Sequence, residues 1–223
     1  MKVPAKTIVL ALGFATLAAA SQAQNDPPPW APARDFKEPE KWSAVLDKDD
    51  RAAWQKPDQV IDALKLPKDA RVADIGAGTG YFSVRLARRL PDAKIFAADA
   101  EPKMVDFLSA RAKRENLTNM IATPVTISDP KFPEPLDLAL FVNAYGQNAD
   151  AVAYYTKLRS QLKPDGRVAL ILARPDVPMG PPKDRRPTFE KCVEDMQKAG
   201  FTLAEAPDFL PRQFFAIFKK SAQ

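Results

Sequence analysis

Two aspartates and three glycines carry the chemistry most readily read from this sequence. Asp74-Ile75-Gly76-Ala77-Gly78-Thr79-Gly80 sets an acid at the end of an apolar run and glycines at alternate positions after it. Asp99 follows about 20 residues later, the separation at which an acid meets the hydroxyls of a ribose. Glycine reaches backbone conformations closed to other residues and lets a ligand approach the main chain directly. Together these residues describe a site for a nucleoside-type cofactor, with Asp99 as the ribose ligand. The plainer alternative is a tight strand-to-helix turn without a ligand, and Asp99-Ala100-Glu101-Pro102 is also good turn chemistry.

The site needs a strand, a turn and a helix to hold it. Val72, Ala73 and Ile75 form a short apolar run, and Phe82, Leu86 and Leu90 recur at helical spacing over Tyr81 to Leu90. A ligand would then sit at the carboxyl end of a strand, where open α/β sheets bind ligands. Ala93 to Ala98 reads as the next strand, ending in Asp99. Leu136 to Val142 reads as another, ending at Asn143-Ala144-Tyr145. Leu162 to Gly166 reads as a helix end and a turn before an apolar strand through Ile171. Strands alternating with helical stretches predict an α/β fold with a Rossmann-like, doubly wound and mainly parallel sheet.

Spacing separates two cofactor classes. The dinucleotide fingerprint G-x-G-x-x-G would put its last glycine at position 81, which is Tyr. The stretch matches D-x-G-x-G-x-G and resembles motif I of the class I S-adenosylmethionine-dependent methyltransferases. Asp99-x-Glu101-Pro102-x-Met104, with Met104 opening the next helix, and Leu162-Lys163-Pro164-Asp165-Gly166-Arg167 resemble two further stretches of that family. The resemblance runs from about Arg51 to Lys219. It implies that Phe201 to Ala204 and Phe214 to Phe218 form the antiparallel C-terminal hairpin that closes such sheets. Within the superfamily the chain resembles a bacterial group of predicted methyltransferases, many of them exported, at Arg51-x-x-Trp54-Gln55-x-Pro57, at Asp129-Pro130-x-x-Pro133 and at Phe209-Leu210-Pro211-x-Gln213-x-Phe215. Members of that group usually carry His directly after the residue that corresponds to Tyr145. Here the residue is Gly146 and the whole chain contains no His, so no imidazole acts as a base.

The resemblance implies roles for individual residues. Gly76, Gly78 and Gly80 pack against the amino-acid end of S-adenosylmethionine, Asp74 favours its ammonium group, and Asp99 accepts hydrogen bonds from the ribose. Asn143 and Tyr145 face the transferable methyl group as candidate catalytic residues, with loop and capping chemistry as the alternative for both. Trp54 and Gln55 belong to a lid, or Trp54 packs in the core. Methyl transfer asks mainly for positioning and desolvation, because the donor is already activated. The acceptor, a small molecule or another group, has no signature in the sequence, and nothing points to nucleic acid. A non-catalytic binding protein of the same fold is the alternative function. An NAD-dependent oxidoreductase comes third, disfavoured by Tyr81.

Residues 1–23 combine Lys2 and Lys6 with an apolar stretch from Ile8 to Ala20 and the small-x-small ending Ser21-Gln22-Ala23, the pattern of a secretory signal peptide. The apolar stretch is shorter than the ~20 residues that span a bilayer. This pattern predicts export, with cleavage after Ala23 and release to the periplasm. Residues 24–34, with Pro27, Pro28, Pro29 and Pro32, form a stiff linker, and residues 35–223 form the methyltransferase-like domain. S-adenosylmethionine is made in the cytoplasm, so an exported enzyme would act before export or on imported cofactor.

The remaining chemistry is sparse. The formal charge of +5 falls to +3 once the two signal lysines are removed, too mild to imply a polyanionic partner. Arg85, Arg88 and Arg89 read as a solvated helix face, and Lys183, Arg185 and Arg186 as a polar loop or a contact to an anionic substrate. Cys192, the single cysteine, shares a helical face with Phe189, Val193 and Met196 and reads as a small buried apolar residue. There is no Cys and His cluster for a metal.

Overall fold

The computed structural model describes residues 36–145, 150–177 and 186–222. The expected signal segment and Pro-rich linker lie outside these residues, as do Gly146, Lys183 and Arg185. Among the described residues no helix is long and apolar enough to cross a membrane.

Three short helices, α1 (Pro39–Leu46), α2 (Arg51–Gln55) and α3 (Pro57–Ala63), precede the first strand. Then follow β1 (Arg71–Ile75), α4 (Tyr81–Arg89), β2 (Lys94–Asp99), α5 (Pro102–Arg114), β3 (Met120–Pro124), β4 (Leu136–Val142), α6 (Ala151–Gln161), β5 (Leu162–Ala173), α7 (Phe189–Lys198), β6 (Phe201–Glu205) and β7 (Gln213–Lys220). The seven strands form one sheet in the order β3-β2-β1-β4-β5-β7-β6. All pairs from β3 to β5 are parallel, and β7 runs antiparallel to both β5 and β6. This is the doubly wound, mainly parallel α/β sheet with a C-terminal hairpin that the sequence predicts.

Alternation along each strand builds two cores. Val72, Ile95, Ala97, Leu138, Leu140, Ala169 and Ile171 pack on one face with α3, α4 and α5. Ala73, Phe96, Ala98, Ala139, Phe141, Val168 and Leu170 pack on the other with α6 and α7. Burial on both faces is why these strands read as continuous apolar runs. The chain winds outward from β1 to β3 and then returns to place β4 on the other side of β1, so the topological switch point, and the crevice for a ligand, lie at the carboxyl ends of β1 and β4.

Several boundaries differ from the sequence reading by a residue or two, and two of the differences have a clear physical reason. Helix α5 begins at Pro102, two residues before Met104, because proline suits the first helical turn and the Glu101 carboxylate caps it by accepting from the Lys103 amide. The turn expected over Leu162 to Gly166 is an excursion inside β5: Leu136 pairs with Leu162, and the register then jumps to Leu138 with Arg167. A Cβ on Gly166 would lie 2.7 Å from the Leu136 carbonyl oxygen and 2.8 Å from Leu162 Cβ, which explains the glycine.

Candidate functional site

The glycine turn leaves β1 in the left-handed region at all three expected positions, with φ of 74° at Gly76, 56° at Gly78 and 90° at Gly80. The amides of Gly76 and Ala77 both donate to the Ala98 carbonyl at 2.9 Å, tying the turn to the end of β2. Gly80 is crowded as well as strained, since a Cβ there would lie 2.8 Å from Leu108 Cδ2.

Asp99 closes this cradle. Its Oδ2 accepts from the Gly78 amide at 2.9 Å and its Oδ1 from the Glu101 amide at 3.0 Å. Each carboxylate oxygen retains acceptor capacity for a further hydroxyl. Burial pushes the Asp99 carboxyl up, and the backbone amides of Glu101 and Gly78 oppose that rise. A pair of acceptor sites beside open main chain suits a ribose diol.

Asp74 is a different kind of acid. It is 3% exposed, and its Oδ2 accepts from the Ser83 hydroxyl at 2.6 Å. Among the described residues no cation lies within ion-pair distance of it, so burial pushes its carboxyl up to about 6 against the opposing Ser83 hydrogen bond and the charge of Arg51. A buried carboxylate without an ion-pair partner is costly and gains from an arriving cation. The amino-acid end of S-adenosylmethionine carries such a cation, and these residues fit it.

The N-terminal helices cover the turn. Asp47, which ends α1, accepts from the Thr79 hydroxyl at 3.1 Å and from Arg111 Nη1 at 2.8 Å, and the same Arg111 nitrogen donates to the Thr79 carbonyl at 2.7 Å. Leu46 reaches within 3.3 Å of where a Gly78 Cβ would stand. Arg51 and Arg85 lie 3.9 Å and 3.7 Å from the centroid of the Tyr81 ring, which two guanidiniums can do only from opposite faces. Arg85 is therefore not the solvated residue the sequence suggested, whereas Arg88 and Arg89 are, paired at the surface with Glu115 and Asp62. Burial lowers Arg51 to about 10, partly offset by Tyr81, Asp47 and Asp74.

The two candidate catalytic residues have different surroundings. Asn143 follows β4 at φ 56° and is exposed; its Oδ1 accepts from the Ala173 amide and from Gln213 Nε2, both at 3.1 Å. Gln213 Oε1 accepts in turn from Gln55 Nε2 at 2.9 Å. Tyr145 instead turns into the core beneath α6 and α7, 5% exposed, stacked on Tyr155 with centroids 5.5 Å apart and donating to Asp195 Oδ2 at 2.8 Å. Burial, then Cys192 and Asp195, hold its hydroxyl protonated. Gln55 is fully buried, so it links elements and does not form a lid surface, while Trp54 is half-buried with Arg212 5.5 Å from its ring. Cys192 is buried, which pushes its thiol up to about 12. Arg186 donates to the carbonyls of Arg174 and Val177.

Asp47, Ser83, Arg111 and Gln213 were not singled out as site residues by sequence. Gln213 had a signal, a polar residue leading an otherwise apolar strand. Asp47 and Arg111 had none, because their partners are remote in sequence, and Ser83 had only its place nine positions after Asp74 in the same strand-turn-helix unit.

Residues 72–166 match the model of a methyltransferase domain. A protein-L-isoaspartate O-methyltransferase of Methylorubrum extorquens is 31% identical over 162 residues, 72% of this chain and 61% of that protein. A malonyl-[acyl-carrier protein] O-methyltransferase of Acetivibrio thermocellus is 30% identical over 112 residues, 49% of this chain and 38% of that protein. The chain thus spans less than two thirds of the length of these relatives. A solved S-adenosylmethionine-dependent methyltransferase from Aquifex aeolicus shares the fold with a TM-score of 0.74 at 18% identity, over 82% of this chain and 97% of the other.

Proposed function

We propose that this chain, a class I S-adenosylmethionine-dependent methyltransferase by its domain over residues 72–166, binds S-adenosylmethionine between the ends of β1 and β2 and serves an acceptor held beyond β4. The bound cofactor supplies an activated methyl group on a sulfonium. The protein's contribution is placement and exclusion of water. Gly76, Gly78 and Gly80 open the main chain to the amino-acid end, Asp74 attracts its ammonium, and Arg51 over Tyr81 is the cation available to its carboxylate. Asp99 accepts from the ribose. Helix α1, pinned through Asp47, covers the turn.

The observation that carries this reading is the join between Gly78 and Asp99, which makes the glycine cradle and the ribose acid one unit. Calorimetric titration with S-adenosylmethionine and S-adenosylhomocysteine, with NAD as control, tests it. Micromolar binding of the first two alone is expected; binding of NAD in preference would reverse the assignment. We also place the working protein outside the cytoplasm, on the pattern of Lys2, Lys6, Ile8 to Ala20 and Ala23. N-terminal sequencing of protein recovered from the periplasm should begin at Gln24, and a periplasmic fraction without the protein removes this placement.

A further inference from the structure

We propose that Asn143 is held as a pure hydrogen-bond donor at the acceptor end of the cleft, and that the acceptor it serves is a carboxylate; this rests on the methyltransferase reading above. The relay that ends on Asn143 has its polarity dictated at both ends by groups that only donate. Arg51 Nε donates to Gln55 Oε1 at 2.5 Å, which turns Gln55 Nε2 toward Gln213 Oε1 at 2.9 Å and Gln213 Nε2 toward Asn143 Oδ1 at 3.1 Å. From the other side the Ala173 amide donates to the same Oδ1 at 3.1 Å. A guanidinium and a backbone amide accept nothing, so flipping any member would set donor against donor.

Both lone pairs of Asn143 Oδ1 are thereby used. Its Nδ2, with two N–H groups, has no protein partner among the described residues. Gln55 and Gln213 are 0% and 1% exposed, whereas Asn143 is exposed where the relay meets the cleft. Its left-handed backbone is the sort of local strain kept where the surroundings over-determine it.

An amide that offers only N–H groups takes no proton from a hydroxyl or an ammonium. Among the described residues the neighbourhood supplies no base either: Asp74 and Asp99 serve the cofactor end, the Tyr145 hydroxyl is given to Asp195, and the chain has no His. A carboxylate needs none. One of its oxygens bonds to the methyl carbon as the carbon–sulfur bond breaks, the electron pair stays on sulfur, and a methyl ester and a thioether result with no proton moved. The Asn143 N–H groups hold the other oxygen in charge-assisted hydrogen bonds.

The test uses the 15N-labelled full chain saturated with S-adenosylhomocysteine, with the Asn143 side-chain resonances identified by their loss in Asn143→Asp. Sodium benzoate is expected to shift them saturably, and benzylammonium chloride at equal ionic strength is not. Asn143→Asp, an exposed change that preserves shape, should weaken benzoate binding about tenfold or more, read from backbone amides around the site. A missing benzoate shift, equal affinity for benzylammonium, or unchanged benzoate affinity in the variant would overturn the proposal. The Gly78 amide response to S-adenosylhomocysteine is read first. Its absence removes the methyltransferase reading itself; its presence with the wrong probe preference removes only the carboxylate.

Discussion

The Gly78 amide donates to Asp99 Oδ2 at 2.9 Å, so the turn after one strand is fastened to the acid that ends the next. Gly78 sits at φ 56°, with room at its Cβ position limited by Leu46 Cδ1 at 3.3 Å. Gly78→Arg should abolish S-adenosylhomocysteine binding while the sheet stays folded, because the crowding falls on one flexible side chain. Gly80→Ala should act the other way, destabilising the fold by about 1–3 kcal/mol through strain at φ 90° and collision with Leu108. Denaturant titration beside calorimetry separates the two. Retained affinity in folded Gly78→Arg would remove the turn from the binding site.

Asp74 predicts a pH dependence with an unusual sign for a carboxylate. Burial lifts it from 3.8 to about 6 in the folded chain, so between those values the folded state holds more protons than the unfolded one and stability falls as pH rises. Above about 6 the penalty is complete, on the order of 3 kcal/mol. Asp74→Asn should therefore stabilise the unliganded protein at pH 7 and flatten the profile between pH 4 and 6, while weakening S-adenosylmethionine binding. Wild-type affinity should drop as pH falls through about 6. A variant less stable than wild type at pH 7 would show that Asp74 is compensated in the free protein.

The cofactor cradle was legible because its evidence is local. Glycines at 76, 78 and 80 announce a turn that other residues could not make, and strands buried on both faces announce themselves as apolar runs. What crosses the fold was not legible. Gln55 and Gln213 bond across 158 positions, and no local pattern announces such a pair. Tyr145 illustrates another limit: a residue just past a strand end can turn to either face of the sheet, and its partner Asp195 lies on a helix whose apolar stripe gave no reason to expect a buried acid. The start of β5 was missed because a register jump lets Leu162 pair before the turn residues have passed.

The clamp on α1 has its own consequence. Arg111 and Asp47 side chains are 14% and 19% exposed, so removing the acid leaves a largely buried guanidinium short of a partner. Asp47→Ala should cost about 1–3 kcal/mol, expressed locally as faster hydrogen exchange over Pro39 to Leu46 and faster release of S-adenosylhomocysteine. Unchanged exchange in α1 would mean that Leu46 packing alone holds the helix over the turn.

Tyr145 and Asn143 should part company under substitution. The Tyr145 hydroxyl donates to the buried Asp195, whose other oxygen is met by Lys191. Tyr145→Phe leaves that acid with one partner fewer, which should lower stability by about 1–3 kcal/mol. The phenol is part of the core under α6 and α7, so S-adenosylhomocysteine affinity should stay unchanged. Asn143→Ala removes the Oδ1 that accepts from the Ala173 amide and from the buried Gln213 side chain, which should also lower stability by about 1–3 kcal/mol. What sets it apart from Tyr145→Phe is a loss of acceptor binding. Loss of turnover in Tyr145→Phe at unchanged stability would place the phenol against the acceptor and reverse the two roles.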